Sequence, residues 1–167
     1  MRLDEYAGYD AVGLAHLVRT GEVSAAELTE LAIAGAAAVD PQLNALVELY
    51  DDARDRARGA DAVPTGPLAG VPMVRKDIGA PEAGKRTELG SRLAEGLVTH
   101  RDSHLTAAFK EAGLVIIGRS ATSEFGCYGT VETALRGTTN NPWKPGHTSG
   151  GSSGGSAALV AAGVVPI

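Results

Sequence analysis

Six residues, Gly150-Gly151-Ser152-Ser153-Gly154-Gly155, constrain this chain more than any other feature, because they run without a break into the apolar stretch Ser156–Ala162. A flexible glycine-serine spacer does not normally lead straight into an apolar helix. Four glycines around two serines instead let backbone N–H groups turn towards a ligand at a helix N-terminus, where the helix dipole favours developing negative charge. The segment 136–155, rich in Gly, Pro, Ser, Thr and Asn, is long for a connection inside a compact domain. Loops of that length are usually functional.

The rest of the sequence alternates helix and strand signals. Ser24-Ala25-Ala26-Glu27 has the form of a capping box, with Leu28, Leu31, Ala32 and Val39 following at helical spacing. Gly35 shares that face, where it admits a close neighbour, and Pro41 predicts the helix end. A shorter helix is expected over Ala11–Val18, ended near Gly21. Leu43–Tyr50 is ambiguous between strand and helix, and Asp51–Gly59 reads as a solvated helix. Pro64, Gly66, Pro67 and Gly70 predict a loop, and Val71–Val74 a short buried strand with Lys76-Asp77 at its C-terminal end. A helix capped by Asp102, with Leu105, Ala108, Phe109 and Ala112 inward and Gly113 at C′, then leads to an apolar strand, Leu114–Ile117. This order predicts a layered α/β fold.

Composition removes several classes of function. The 167 residues carry 15 basic and 20 acidic side chains, a formal charge of −5, which offers no footprint for a phosphate backbone. No direct nucleic-acid partner is therefore expected. No apolar run approaches the roughly 20 residues of a membrane span, and Met1–Tyr6 carries acids where a leader would be basic and apolar. Cys127 is the single cysteine, so no intramolecular disulfide forms and a cytoplasmic setting is expected.

Three motifs read better as structure than as chemistry. Gly113–Ser120 is one substitution from a phosphate-binding loop, but Leu-Val-Ile-Ile between its glycines is a strand and Arg119 stands in place of the lysine. Those residues belong to the core. His16, His100, His104 and His147 lack the neighbouring acid of a zinc-protease motif, so no metal site is assigned. The Gly-x-Ser-x-Gly within the hexapeptide has no strand immediately before it and no Asp or His after it, which leaves a serine-hydrolase elbow as the weakest chemistry.

A set of motifs in fixed order resembles the amidase signature family, serine hydrolases that cleave carboxamides. Gly70-Val71-Pro72 followed by Lys76-Asp77 is similar to its lysine motif, and Gly90-Ser91-Arg92-Leu93 with Glu95-Gly96 to a further common segment. Ile116-Ile117-Gly118, Glu124-Phe125-Gly126, Asn141-Pro142-Trp143 and Ser149–Gly155 follow in the same order. Arg75 stands where an apolar residue is common. The resemblance implies the N-terminal part of the amidase signature fold, a mixed β-sheet covered by helices on both sides. Residues 1–60 would be its helical part and 61–167 the part carrying the Lys and Gly/Ser motifs.

The resemblance also implies a Ser–cis-Ser–Lys triad, with Lys76 as the catalytic lysine and Ser152 as the bridging cis-serine. A lysine withdrawn from water holds its proton less tightly, so a buried Lys76 becomes a base near neutral pH. A serine hydroxyl both donates and accepts, so Ser152 can pass a proton. Gly126 and Cys127 would supply at most one wall for a small-molecule amide substrate, and Cys127 itself is assigned no chemistry. No metal or organic cofactor is implied. The family's nucleophile lies in a second glycine-serine motif, which Ser153 and Ser156 do not match, so these 167 residues alone are expected to be inactive. An open sheet edge is expected to favour association, including a homo-oligomer. The resemblance leaves open the amidase-type component of a glutamyl-tRNA amidotransferase (its A chain), and a non-catalytic binding module remains the non-enzymatic reading.

Overall fold

The computed structural model describes residues 1–62 and 65–167, so Pro64 of the predicted loop lies outside the described residues. A short helix α1 (Leu3–Tyr6) precedes α2 (Ala11–Thr20) and α3 (Ala25–Leu43). Asp10 caps α2 through the Gly13 N–H, and Gly21 ends it in the left-handed conformation, as its sequence signals predict. Only half of the capping box at α3 forms. Ser24 Oγ accepts from the Glu27 N–H at 3.0 Å, but the Glu27 carboxylate turns to the Met1 ammonium. Asp61 adds the missing anion, accepting from the Ala25 and Ala26 N–H groups at 2.6 and 3.1 Å.

Contrary to the expected stop, α3 runs through Pro41 to Leu43. The ring removes the donor that Ala37 would have used, and Ala37 is on the exposed side. Asp40 then closes the end by accepting from Ala45 and Leu46 at 2.7 and 2.8 Å. Gly35 admits a neighbour as predicted: a Cβ there would stand 3.7 Å from Val164 Cα.

The ambiguous segment resolves as strand β1 (Leu46–Leu49), followed by α4 (Ala53–Ala62), β2 (Pro72–Lys76), α5 (His104–Glu111) and β3 (Val115–Ser120). These strands form a mixed sheet in the order β1-β3-β2, with β2 parallel and β1 antiparallel to β3. Helices pack on it around Leu14, Leu28, Val71, Ile116, Ile117 and Leu159, all essentially without solvent contact. The fold is α/β. Ser103, not Asp102, caps α5, because Asp102 is engaged by the Ala83 N–H and Lys110. The inner face of α5 is also rotated from the expected one: Leu105 and Ala108 are not buried, while the buried Thr106 donates to the Pro81 carbonyl.

The long segment is more regular than its composition suggests. It contains β5 (Gly137–Thr138), which pairs antiparallel with the preceding β4 (Glu132–Thr133), and a second antiparallel pair, β6 (Asn140–Asn141) with β7 (Lys144–Thr148). Helix α6 (Gly154–Ala161) follows the glycine-serine run. Gly155 is required where α6 meets the sheet, since a side chain there would collide with the backbones of Ala121 and Ala45.

Candidate active site

Side chains alternate faces along a strand, so Lys76 points opposite to Arg75 and Asp77. Its register partner in β3 is Ser120, and Arg75 pairs with Arg119. On the Lys76 face, the Lys76 Nζ donates to Ser152 Oγ at 2.7 Å, and Ser120 Oγ lies 2.6 Å from Ser156 Oγ of α6. The two residues that the sequence singles out for proton handling thus meet across 76 positions of chain.

Ser152 is set by the loop that enters α6. The Gly151–Ser152 peptide is cis. Residue 151 cannot carry a side chain, since a Cβ would stand 2.7 Å from backbone atoms of Tyr128, Gly129 and Thr130. The Ser152 carbonyl accepts twice, from Thr122 Oγ1 at 2.9 Å and the Ser123 N–H at 3.2 Å.

Burial lowers the proton affinity of Lys76 below the ordinary lysine range. No salt bridge to Lys76 occurs among the described residues, and the neighbouring Asp77 is engaged elsewhere. Asp77 Oδ1 accepts from Arg119 at 2.7 Å and from the Glu88 N–H at 2.8 Å, and Oδ2 from the Gly90 N–H at 3.1 Å. Glu88 in turn meets Arg119 at 3.0 Å and Arg136 at 2.5 Å. Burial alone would push the Glu88 carboxyl up. The Gly96 N–H, Arg136 and Arg119 outweigh it and hold the group at about 2.

Gly126 lies beside the pair: a Cβ on it would stand 3.8 Å from Ser152 Oγ and 3.7 Å from Ile78. Cys127 is exposed, with its thiol 3.5 Å from the Phe125 carbonyl. Among the described residues no group of three or more His, Cys, Asp or Glu side chains is placed to hold a metal ion, and no helix is long and apolar enough to cross a membrane. The residues that hold Ser152 and Asp77, namely Thr122, Ser123 and Arg119, belong to none of the motifs that point to chemistry. Three short hydroxylated residues at the exit of an apolar strand, Ser120, Thr122 and Ser123, are the signal that marks Thr122 and Ser123; nothing local marks Arg119.

A mixed β-sheet that brings a partly buried lysine amine against a serine hydroxyl at the entry to a helix defines a lysine–serine pair carried on an α/β fold. The chain belongs to the amidase signature family, whose model, described as Amidase, matches residues 27–167. It is 38% identical over 161 residues to a 6-aminohexanoate-cyclic-dimer hydrolase of Paenarthrobacter ureafaciens, covering 95% of this chain and 32% of that protein. It is 42% identical over 153 residues to the A chain of the glutamyl-tRNA(Gln) amidotransferase of Synechococcus sp. (strain CC9605), covering 87% of this chain and 31% of that protein. Among solved structures, the native peptide amidase from Stenotrophomonas maltophilia superposes with a TM-score of 0.88 at 32% identity, over 96% of this chain and 35% of that one. The chain spans about a third of the length of the curated relatives it matches.

Proposed function

We propose that this chain serves amide (C–N) bond hydrolysis through an acyl-enzyme, with Lys76 as the base and Ser152 as the proton relay. The observation that carries the reading is the 2.7 Å contact between a lysine amine with lowered proton affinity and the Ser152 hydroxyl. When Lys76 is neutral, its lone pair faces that hydroxyl. Ser152 gives its proton to Nζ while taking one from the nucleophile, and the reverse transfer delivers a proton to the leaving amine. In this reading the nucleophile is a serine supplied from outside these 167 residues, as the second glycine-serine motif of the family implies. The substrate is a small carboxamide, for which Gly126 and Cys127 form part of one wall. A cytoplasmic setting fits the lone free thiol of Cys127.

The test is turnover of a carboxamide by the protein that carries these residues. Lys76→Ala and Ser152→Ala are each expected to lower kcat about 10²- to 10⁴-fold. Activity of the parent protein should rise with pH through the lowered lysine pKa, because only the neutral amine accepts a proton. Variants that retain full turnover overturn the assignment. The 42% identity to an amidotransferase chain favours a second reading, in which the released ammonia passes to a partner protein. Amide hydrolysis that depends on a co-purifying partner distinguishes it.

A further inference from the structure

One short segment grips both members of the pair. Arg119 donates to Asp77, and the Ser120 carbonyl accepts the Asp77 N–H at 3.1 Å. Ser120 Oγ donates to the Arg75 carbonyl at 3.3 Å. Both chain neighbours of Lys76 are therefore fastened to β3. Just beyond, the segment turns to Ser152. The Ala121 carbonyl accepts from the Gly155 N–H at 3.1 Å, and Thr122 and Ser123 supply the two donors to the Ser152 carbonyl.

Resting on the function proposed above, we infer that Thr122 is a positioning residue for Ser152. A carbonyl that accepts on both lone pairs has its plane fixed, and with it the direction of the Cα–Cβ bond that carries the hydroxyl. Thr122 is 2% exposed, so its hydroxyl is shielded from solvent and its donation is committed to Ser152. The Thr122 carbonyl also passes close to Gly90, whose N–H holds Asp77: a Cβ added there would stand only 2.7 Å from it. Thr122 thus holds the relay serine from the segment whose preceding residues, Arg119 and Ser120, fasten the lysine strand. Without its hydroxyl, the Ser152 peptide keeps one donor, from Ser123, and gains freedom to rotate about that bond. A relay contact of 2.7 Å tolerates little rotation.

The experiment measures kcat and KM for a carboxamide in the protein that carries these residues, for Thr122→Val, Thr122→Ser, Ser152→Ala and the Thr122→Val/Ser152→Ala double variant, with thermal unfolding of each. Thr122→Val is nearly isosteric and is expected to lower kcat about tenfold with KM unchanged. Thr122→Ser should restore most of the loss. In the Ser152→Ala background the valine should cause no further loss, because its effect runs through the relay. Should the valine variant fail to fold, Thr122→Ala removes the same hydroxyl with less bulk. The inference is overturned if kcat stays within twofold, or if the loss persists undiminished in the Ser152→Ala background. A Ser152→Ala variant with full activity overturns the proposed function itself, which separates the two failures.

Discussion

The two faces of the β2–β3 pair treat their cations in opposite ways. On one face, Arg75 and Arg119 are register partners, each about 1% exposed, and both guanidiniums lie within 4 Å of a carboxylate. Arg119 meets Asp77, Glu88 and Glu48 within 3.0 Å, while Arg75 donates to Tyr50 Oη at 2.7 Å and lies 3.8 Å from Glu82. On the other face, one residue along the strand, Lys76 has a hydroxyl and no carboxylate among the described residues. Removing an ion from water costs several kcal/mol unless partners replace the solvent. The paired face keeps its cations charged, and they hold structure together. The unpaired face loosens the proton on its amine, which is what the proposed base role requires.

Removing each group in turn sharpens this contrast. Lys76→Met should lower turnover about 10²- to 10⁴-fold while leaving thermal stability close to the parent, because no ion pair is lost. A destabilisation comparable to that of the paired face would break the distinction. Arg119→Met should do the opposite to stability: it leaves Asp77 and Glu88 buried with fewer partners, at a cost of about 3–5 kcal/mol in denaturant unfolding. A change under about 1 kcal/mol would show that the layer is not held as described.

Acid probes the same layer without mutation. Glu88 is held at about 2, below its ordinary value of 4.5, so its contribution is fully present above about pH 4.5. Stability should fall as pH drops from there towards 2, where the folded carboxyl takes up its proton. Glu88→Gln should start less stable at neutral pH and show a flatter acid limb over that window. An unchanged slope would mean that Glu88 titrates alike folded and unfolded.

Much of this arrangement is legible in the sequence, and the boundary is instructive. The apolar runs Val71–Val74 and Leu114–Ile117 announce two buried strands, and both form, because local pattern and burial agree. The lysine and glycine-serine motifs place Lys76 and Ser152, which the fold then joins. The charged layer is not legible. Arg119 finds Glu88 31 positions away and Arg136 finds it from 48, separations that leave no periodic trace. Arg75 reads as ordinary variation, although alternation along a buried strand already requires Arg75 and Asp77 to share a face and find partners. The end of α3 departs from its local signals for a similar reason: Asp40 and solvent near Ala37 offset a proline that local rules treat as a stop.

The smallest expected effect tests the paired face at a single atom. Burial pushes the Tyr50 phenol up to about 12, so it remains neutral throughout the folded range and accepts from Arg75 Nε. Its ring also lies under three cations, with Lys85 Nζ 4.4 Å and the Arg56 and Arg75 guanidinium carbons 5.5 and 5.8 Å from the centroid. Tyr50→Phe keeps the ring and those cation–π contacts, and it removes only the oxygen. Arg75 Nε then loses its hydrogen-bond acceptor while the Arg86 carbonyl still holds the guanidinium, which should cost about 1–2 kcal/mol in unfolding. Because Arg75 faces away from Lys76, the same variant should leave kcat unchanged. Lost turnover with intact stability would reverse the assignment of the two faces, and it would place Arg75 among the groups that set the lysine.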